Sequence, residues 1–163
     1  MKKLAIILII SILLAACGSI PKEYLEDVEM FTKEGNRLTI MTEQGVNYKD
    51  YSKQLIEVKS TFSMIEGNSM EKLNPMLSQF EIAIIGWDGA KDIWEYKIDG
   101  GECFSQTKQM QEYSSFVSLY LTMDETKDLQ GIYDETCEDY ISVMFSGATA
   151  HYEKGIEEYL KLK

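Results

Sequence analysis

Residues 46–66 read VNYKDYSKQLIEVKSTFSMIE, and their apolar positions decide the fold. Tyr48, Tyr51, Leu55, Val58, Phe62 and Ile65 recur at steps of three and four. At 3.6 residues per turn those steps fall on one face of a helix, whereas a half-buried strand would alternate every second residue. Charged and polar residues fill the other positions, so the segment is predicted to be an amphipathic helix with one buried face.

The stripe continues toward the N-terminus through Tyr24, Val28, Phe31, Leu38 and Met41, and Pro21 suits a first helical turn. Gly35 and Gly45 each cost about 1 kcal/mol relative to Ala inside a helix. Residues 46–66 are therefore assigned as helix, while 32–45 stay open and Arg37 to Met41 would also suit a short extended piece. Toward the C-terminus, Gly67-Asn68-Ser69 reads as a turn. A second helix is expected from about Met70 to Lys97, carrying Met70, Leu73, Leu77, Phe80, Ile84, Trp87, Trp94 and Ile98, with Pro75 near its start. Asp99-Gly100-Gly101 ends it. A third helix is expected from Ser105 with Met110, Tyr113, Phe116, Val117 and Tyr120. Thr122-x-x-Glu125 has capping-box spacing and would open the fourth, which carries Leu129, Tyr133, Cys137, Tyr140, Ile141, Met144, Ala148, His151, Tyr152, Ile156 and Tyr159. The predicted class is all-α, an antiparallel bundle of about four helices over residues 22–163; the stripes also suit a three-helix or bent arrangement. In an up-down-up-down bundle the second and fourth helices run parallel across the diagonal.

The N-terminus carries an address. Lys2 and Lys3 precede an apolar run from Leu4 to Leu14, which is shorter than the roughly 20 residues a membrane span needs and has the length of a signal-peptide core. The run closes on Leu14-Ala15-Ala16-Cys17. This resembles the lipobox of bacterial lipoproteins. The resemblance implies that residues 1–16 are a signal peptide, that Cys17 becomes the lipidated N-terminus, and that 17–21 are a short tether. Two or three acyl chains suffice for stable anchoring. Gly18 and Ser19 follow with no Asp at the second mature position, a pattern similar to that of outer-membrane lipoproteins facing the periplasm if the source is diderm. Residues 18–21 extend to at most about 14 Å, so the body is expected to sit close to the membrane.

The net charge is −11 and the pI about 4.6. Loss of residues 1–16 removes two lysines and no acid, taking the net charge to −13. Such a chain has nothing to neutralise nucleic-acid phosphates and is repelled by anionic headgroups. Fifteen lysines stand against one arginine.

Cys103 and Cys137 remain once Cys17 carries lipid, and disulfides persist in exported proteins. If both lay in one helical hairpin, their midpoint at residue 120 would fall beside Thr122. A turn at Gln130-Gly131 would instead separate the thiols by roughly 30 Å, against the ~7 Å that a bridge tolerates between Cα atoms. A Cys103–Cys137 disulfide is therefore expected, stabilising by about 3–4 kcal/mol on the chain-entropy account. The spacing fits neither a CxxC redox pair nor a zinc site.

Catalytic signatures such as GxSxG, HExxH or a P-loop do not occur. His151 is the only histidine and falls on the apolar face of the fourth helix with Tyr133, Tyr140 and Met144, where a buried His–Tyr hydrogen bond would explain it. A haem pairing His151 with Met30 or Met41 is the sharper alternative, while a di-iron bundle would need a second histidine. Glu23, Glu26, Asp27 and Glu29, and later Asp134, Glu135, Glu138 and Asp139, read as solvated helix faces. Small residues at Gly86, Gly89 and Ala90 and at Ser146 to Ala150 would lie at similar heights. A small-molecule site would then sit between Trp87, Trp94, Gly147 and His151, unless Trp87 fills the space. Tyr24, Tyr48 and Tyr96 are candidates for an outer contact surface. The expected function is a non-catalytic, lipid-anchored interaction or scaffold module of the cell envelope, needing no cofactor or metal. Its partners would be the membrane, through Cys17, and another envelope protein. The alternative is a bundle that binds a small apolar ligand or haem.

Overall fold

The computed structural model describes residues 20–67, 70–101, 103 and 136–163. Residues 1–16, expected as a signal peptide, the expected lipid site Cys17, the helix expected from Ser105, the cap at Thr122 and the positions Leu129 and Tyr133 lie outside the described residues. Four α-helices occur among those described: α1 Lys22–Gln44, α2 Tyr48–Ile65, α3 Asn74–Ile98 and α4 Cys137–Leu160. A 3-10 turn, Glu71–Leu73, leads into α3.

The stripe that looked like one long helix is two. Gly45 adopts φ +79°, a left-handed conformation that ends α1. Asn47 then caps α2: its Oδ1 accepts from Asp50 N–H at 3.0 Å while its Nδ2 donates to Asp50 Oδ2 at 2.6 Å. Residues 32–44 are helical, with no extended piece at Arg37 to Met41. Gly35 lies within α1, and the ring of Tyr152 lies where its Cβ would be, so a larger residue does not fit there. That close approach outweighs the glycine's entropic cost.

The start of α4 also differs from expectation. Thr136 is extended (φ −82°, ψ 168°), so the helix cannot run unbroken from Thr122. Thr136 N–H and Oγ1 both donate to the Asp139 carboxylate, at 2.9 and 2.7 Å. The spacing is that of a capping box with Asp in place of the usual Glu or Gln.

The helices alternate in direction. Tyr24 bonds to Ile65 and Gln54 to Glu34 between α1 and α2. Lys59 pairs with Asp88 and Tyr48 rests on Trp94 between α2 and α3, and between them the Tyr51 hydroxyl donates to the Trp87 carbonyl at 2.7 Å. Gln79 meets His151 and Lys97 pairs with Glu138 between α3 and α4. Tyr152 bonds to Thr32 and Tyr159 to Leu25 between α4 and α1. Each pair runs antiparallel, which closes an up-down-up-down bundle. α3 and α4 are thus adjacent and antiparallel, not parallel across a diagonal. The split at Gly45 supplies the helix that fills the remaining position.

Phe31 occupies the centre. Its ring meets Phe62 of α2 at 5.5 Å, Phe80 of α3 at 4.5 Å and Tyr152 of α4 at 6.2 Å. Burying one such ring contributes about 2–3 kcal/mol. The expected stripes are mostly buried, although Ile98 at the end of α3 is 57% exposed. α3 also buries Met76, Ala83, Ala90 and Ile93, off its predicted stripe, because helices pack on two of its sides.

Cys103 and Cys137 are joined by a disulfide with Cα atoms 5.0 Å apart. Cys103 lies beyond the end of α3 and Cys137 is the first residue of α4, so the hairpin register used to pair them does not apply. The bridge ties the C-terminal end of one helix to the start of its antiparallel neighbour. It packs there with Ala90, Ile93, Tyr140, Ile141 and Met144.

Candidate functional site

The four residues expected to bound a small-molecule site are built into packing. Trp87 is fully buried against Tyr152, with ring centroids 5.4 Å apart. Trp94, two turns further along α3, is half-buried among Tyr48, Tyr51 and Phe145. Gly147 is buried in α4. His151 is 4% exposed, and its Nδ1 lies 2.7 Å from Gln79 Oε1, a partner not evident from the spacing. Aromatic rings therefore occupy the interior where the ligand was expected.

The proposed haem ligands do not face one another. Met30 is 47% exposed on α1. Met41 lies nine residues beyond Thr32, the level of Tyr152, which is about 14 Å along the helix. Among the described residues no group of three His, Cys, Asp or Glu side chains could hold a metal ion. Of the tyrosines suggested for an outer surface, Tyr24 is buried and donates to the Ile65 carbonyl at 3.3 Å. Tyr48 rests edge-on against Trp94, and Tyr96 lies against Gly101.

The acidic residues behave as surface charge. Lys163 holds the Glu29 carboxyl below its usual range, Lys97 does the same for Glu138, and the Thr136 hydrogen bonds do so for Asp139. No helix among the described residues is long and apolar enough to cross a membrane.

An open groove of about 680 Å³ runs between α1 and α2 near their connecting turn. Met41 and Val46 form its apolar part; Arg37, Lys53, Glu34, Asp50 and Glu57 bring charge to it. Gln54 forms part of the lining although it is only 4% exposed. Its Nε2 donates to the Glu34 carbonyl at 3.1 Å and to Glu34 Oε2 at 2.9 Å, which fixes that wall. Asp50 is likewise held by Asn47. Arg37 is the single arginine of the chain. That count was visible in the sequence, but its place in a groove depends on the turn at Gly45.

Comparison with known proteins gives no match among family models, curated proteins or solved structures.

Proposed function

We propose that the chain is a lipid-anchored, non-catalytic module of the bacterial cell envelope that binds another envelope protein at the membrane surface. The observation that carries this reading is the sequence Leu14-Ala15-Ala16-Cys17 after a short apolar run, with α1 beginning at Lys22. The N-terminal end of α1 is then the membrane-proximal pole. α1 has 23 residues, a rise of about 34 Å, so the groove beside Gly45 lies at the pole remote from Cys17. A partner would meet the groove without competing with lipid for space.

The test is metabolic labelling with a palmitate analogue in a bacterial host. The wild-type chain takes up label and loses residues 1–16, and an inhibitor of the lipoprotein signal peptidase leaves the longer precursor. Cys17→Ala removes both label and membrane retention. Label that persists in Cys17→Ala, or a mature chain beginning elsewhere, would overturn the reading. Photo-crosslinking from position 37 or 53 in native membranes then identifies the partner.

A further inference from the structure

The groove between α1 and α2 has a charge order that specifies a ligand. Glu34 lies opposite Gln54, Phe31 meets Phe62, and Tyr24 reaches Ile65, so facing residue numbers on the two antiparallel helices sum to about 90. Arg37 therefore stands opposite Lys53, both at the groove wall. Glu34 and Glu57 lie about 5 Å from this pair along the helix axes on one side, and Asp50 lies about 5 Å away on the other. The groove thus reads acid, base, acid along its length.

The two cations are available. Lys53 is one turn from both Asp50 and Glu57, and Arg37 is one turn from Glu34, which are spacings that commonly form ion pairs. Among the described residues neither cation makes an ion pair with them or with any other carboxylate. Glu34 and Asp50 are positioned by the amides of Gln54 and Asn47, which orient their charges without cancelling them. With two bases against three acids, the wall is net negative by one charge. A simple anion is therefore a poor fit, and so is a purely basic ligand, which would meet Arg37 and Lys53 in the middle.

We propose that this groove docks an extended segment of a partner protein with the pattern basic-x-acidic-x-basic. Alternate residues of an extended chain point the same way and lie about 7 Å apart, a spacing that long lysine and glutamate side chains adapt to the acid-base-acid order. The central acid meets Arg37 and Lys53, the outer bases meet Asp50 and the Glu34–Glu57 pair, and Met41 and Val46 offer apolar contact to the chain between them. This deepens the reading of the chain as an interaction module by naming the chemistry of its partner.

The experiment uses the chain as purified in detergent micelles, whether or not Cys17 carries lipid, labelled with 15N. Because Arg37 is the only arginine, its Nε–H gives one side-chain signal that reports directly on the groove. Two blocked pentapeptides are titrated, acetyl-Lys-Ala-Glu-Ala-Lys-amide and its relative with Gln in place of Glu. The second carries more net positive charge, so unspecific attraction to an acidic protein favours it. The proposal expects a saturable shift of the Arg37 signal and at least about threefold tighter binding of the Glu peptide, since a charged hydrogen bond to the central acid is lost in the Gln peptide. In Arg37→Gln, followed by backbone amide signals of Lys53 and Gln54, the preference disappears while the melting temperature holds, because Arg37 is exposed. Equal or tighter binding of the Gln peptide, no saturable shift at millimolar peptide, or a preference that survives Arg37→Gln would each overturn it. None of these outcomes depends on whether Cys17 is lipidated in cells, so failure here and failure of the anchoring assay are separate results.

Discussion

Gly35 of α1 and Tyr152 of α4 share a space that holds only one side chain. A Cβ on Gly35 would lie inside the contact radius of the Tyr152 ring, whose hydroxyl donates to the Thr32 carbonyl one turn away on α1. The ring also packs on Phe31, Phe80 and Trp87, so it is held from several sides. Helix propensity alone would make Gly35→Ala stabilising by up to about 1 kcal/mol. The ring cannot yield without breaking its hydrogen bond and its stacking. Gly35→Ala is therefore expected to lose about 2 kcal/mol in urea unfolding. Combined with Tyr152→Leu, the same substitution should cost much less than the sum of the two single changes.

The interface of α3 and α4 contains a paired contrast. A Cβ at Gly86 would approach the Ala148 Cβ to 2.9 Å and its Cα to 3.3 Å, where nothing can rotate away. A Cβ at Gly89 would meet the terminal methyl of Met144, the free end of a flexible chain. Gly86→Ala should destabilise by about 2 kcal/mol by forcing the helices apart. Gly89→Ala should fall within about 1 kcal/mol of wild type. Thermal melts of the two variants side by side test the ordering, and equal losses would contradict it.

The disulfide closes a sequence interval of 34 residues, for which the chain-entropy account gives about 4 kcal/mol. The variant with both Cys103→Ala and Cys137→Ala is expected to unfold at lower urea by that amount, less any compensating relaxation. Because the bridge joins the ends of α3 and α4 at one pole, the aromatic centre around Phe31 should persist. Near-ultraviolet circular dichroism in the absence of denaturant should therefore stay close to that of wild type.

Alkaline pH should unfold the protein through its tyrosines. Burial raises Tyr24 from 10.0 to about 12, with Asp27 adding to the effect. Burial likewise raises Tyr51 and Tyr152 above the ordinary phenol range. An unfolded chain releases these protons near pH 10 while the folded one holds them. Their contribution is thus fully present below pH 10 and falls as pH rises through the folded values. Absorbance at 295 nm during a rapid pH jump should show Tyr24, Tyr51 and Tyr152 ionising only with unfolding.

Acid acts in the opposite sense. Glu29, Glu138 and Asp139 have lowered pKa values, through Lys163, Lys97 and Thr136 respectively. Each favours the folded state above its ordinary carboxyl range and loses that effect as pH falls through its folded value. The urea midpoint should drop between pH 6 and pH 3. Asp139→Asn should lower the midpoint at pH 6 and flatten part of this dependence, because the cap of α4 no longer titrates.

Helical class and the buried faces of all four described helices were legible from residue order. Tyr51, Leu55, Val58 and Phe62, or Tyr140, Met144, Ala148 and Tyr152, repeat at the helical period, and burial follows from period whatever the topology. The candidate groove was not legible. Arg37 and Lys53 are separated by a turn whose direction depends on one backbone torsion at Gly45. Trp87, Trp94, Gly147 and His151 fell on promising faces, yet their neighbours came from helices whose order was not known.

Period and composition are local properties, so the chain's order alone was enough to specify helices and their inward faces. Which helix lies beside which is a property of the ends. Gly45 turns one apparent helix into an antiparallel pair, and the bridge at Cys103 and Cys137 returns α4 along α3. A glycine marks a permitted break or a close approach with the same letter, because the absence of a Cβ serves both. Only the packed structure separates the two uses: Gly45 at φ +79° makes a turn, and Gly35 makes room for Tyr152.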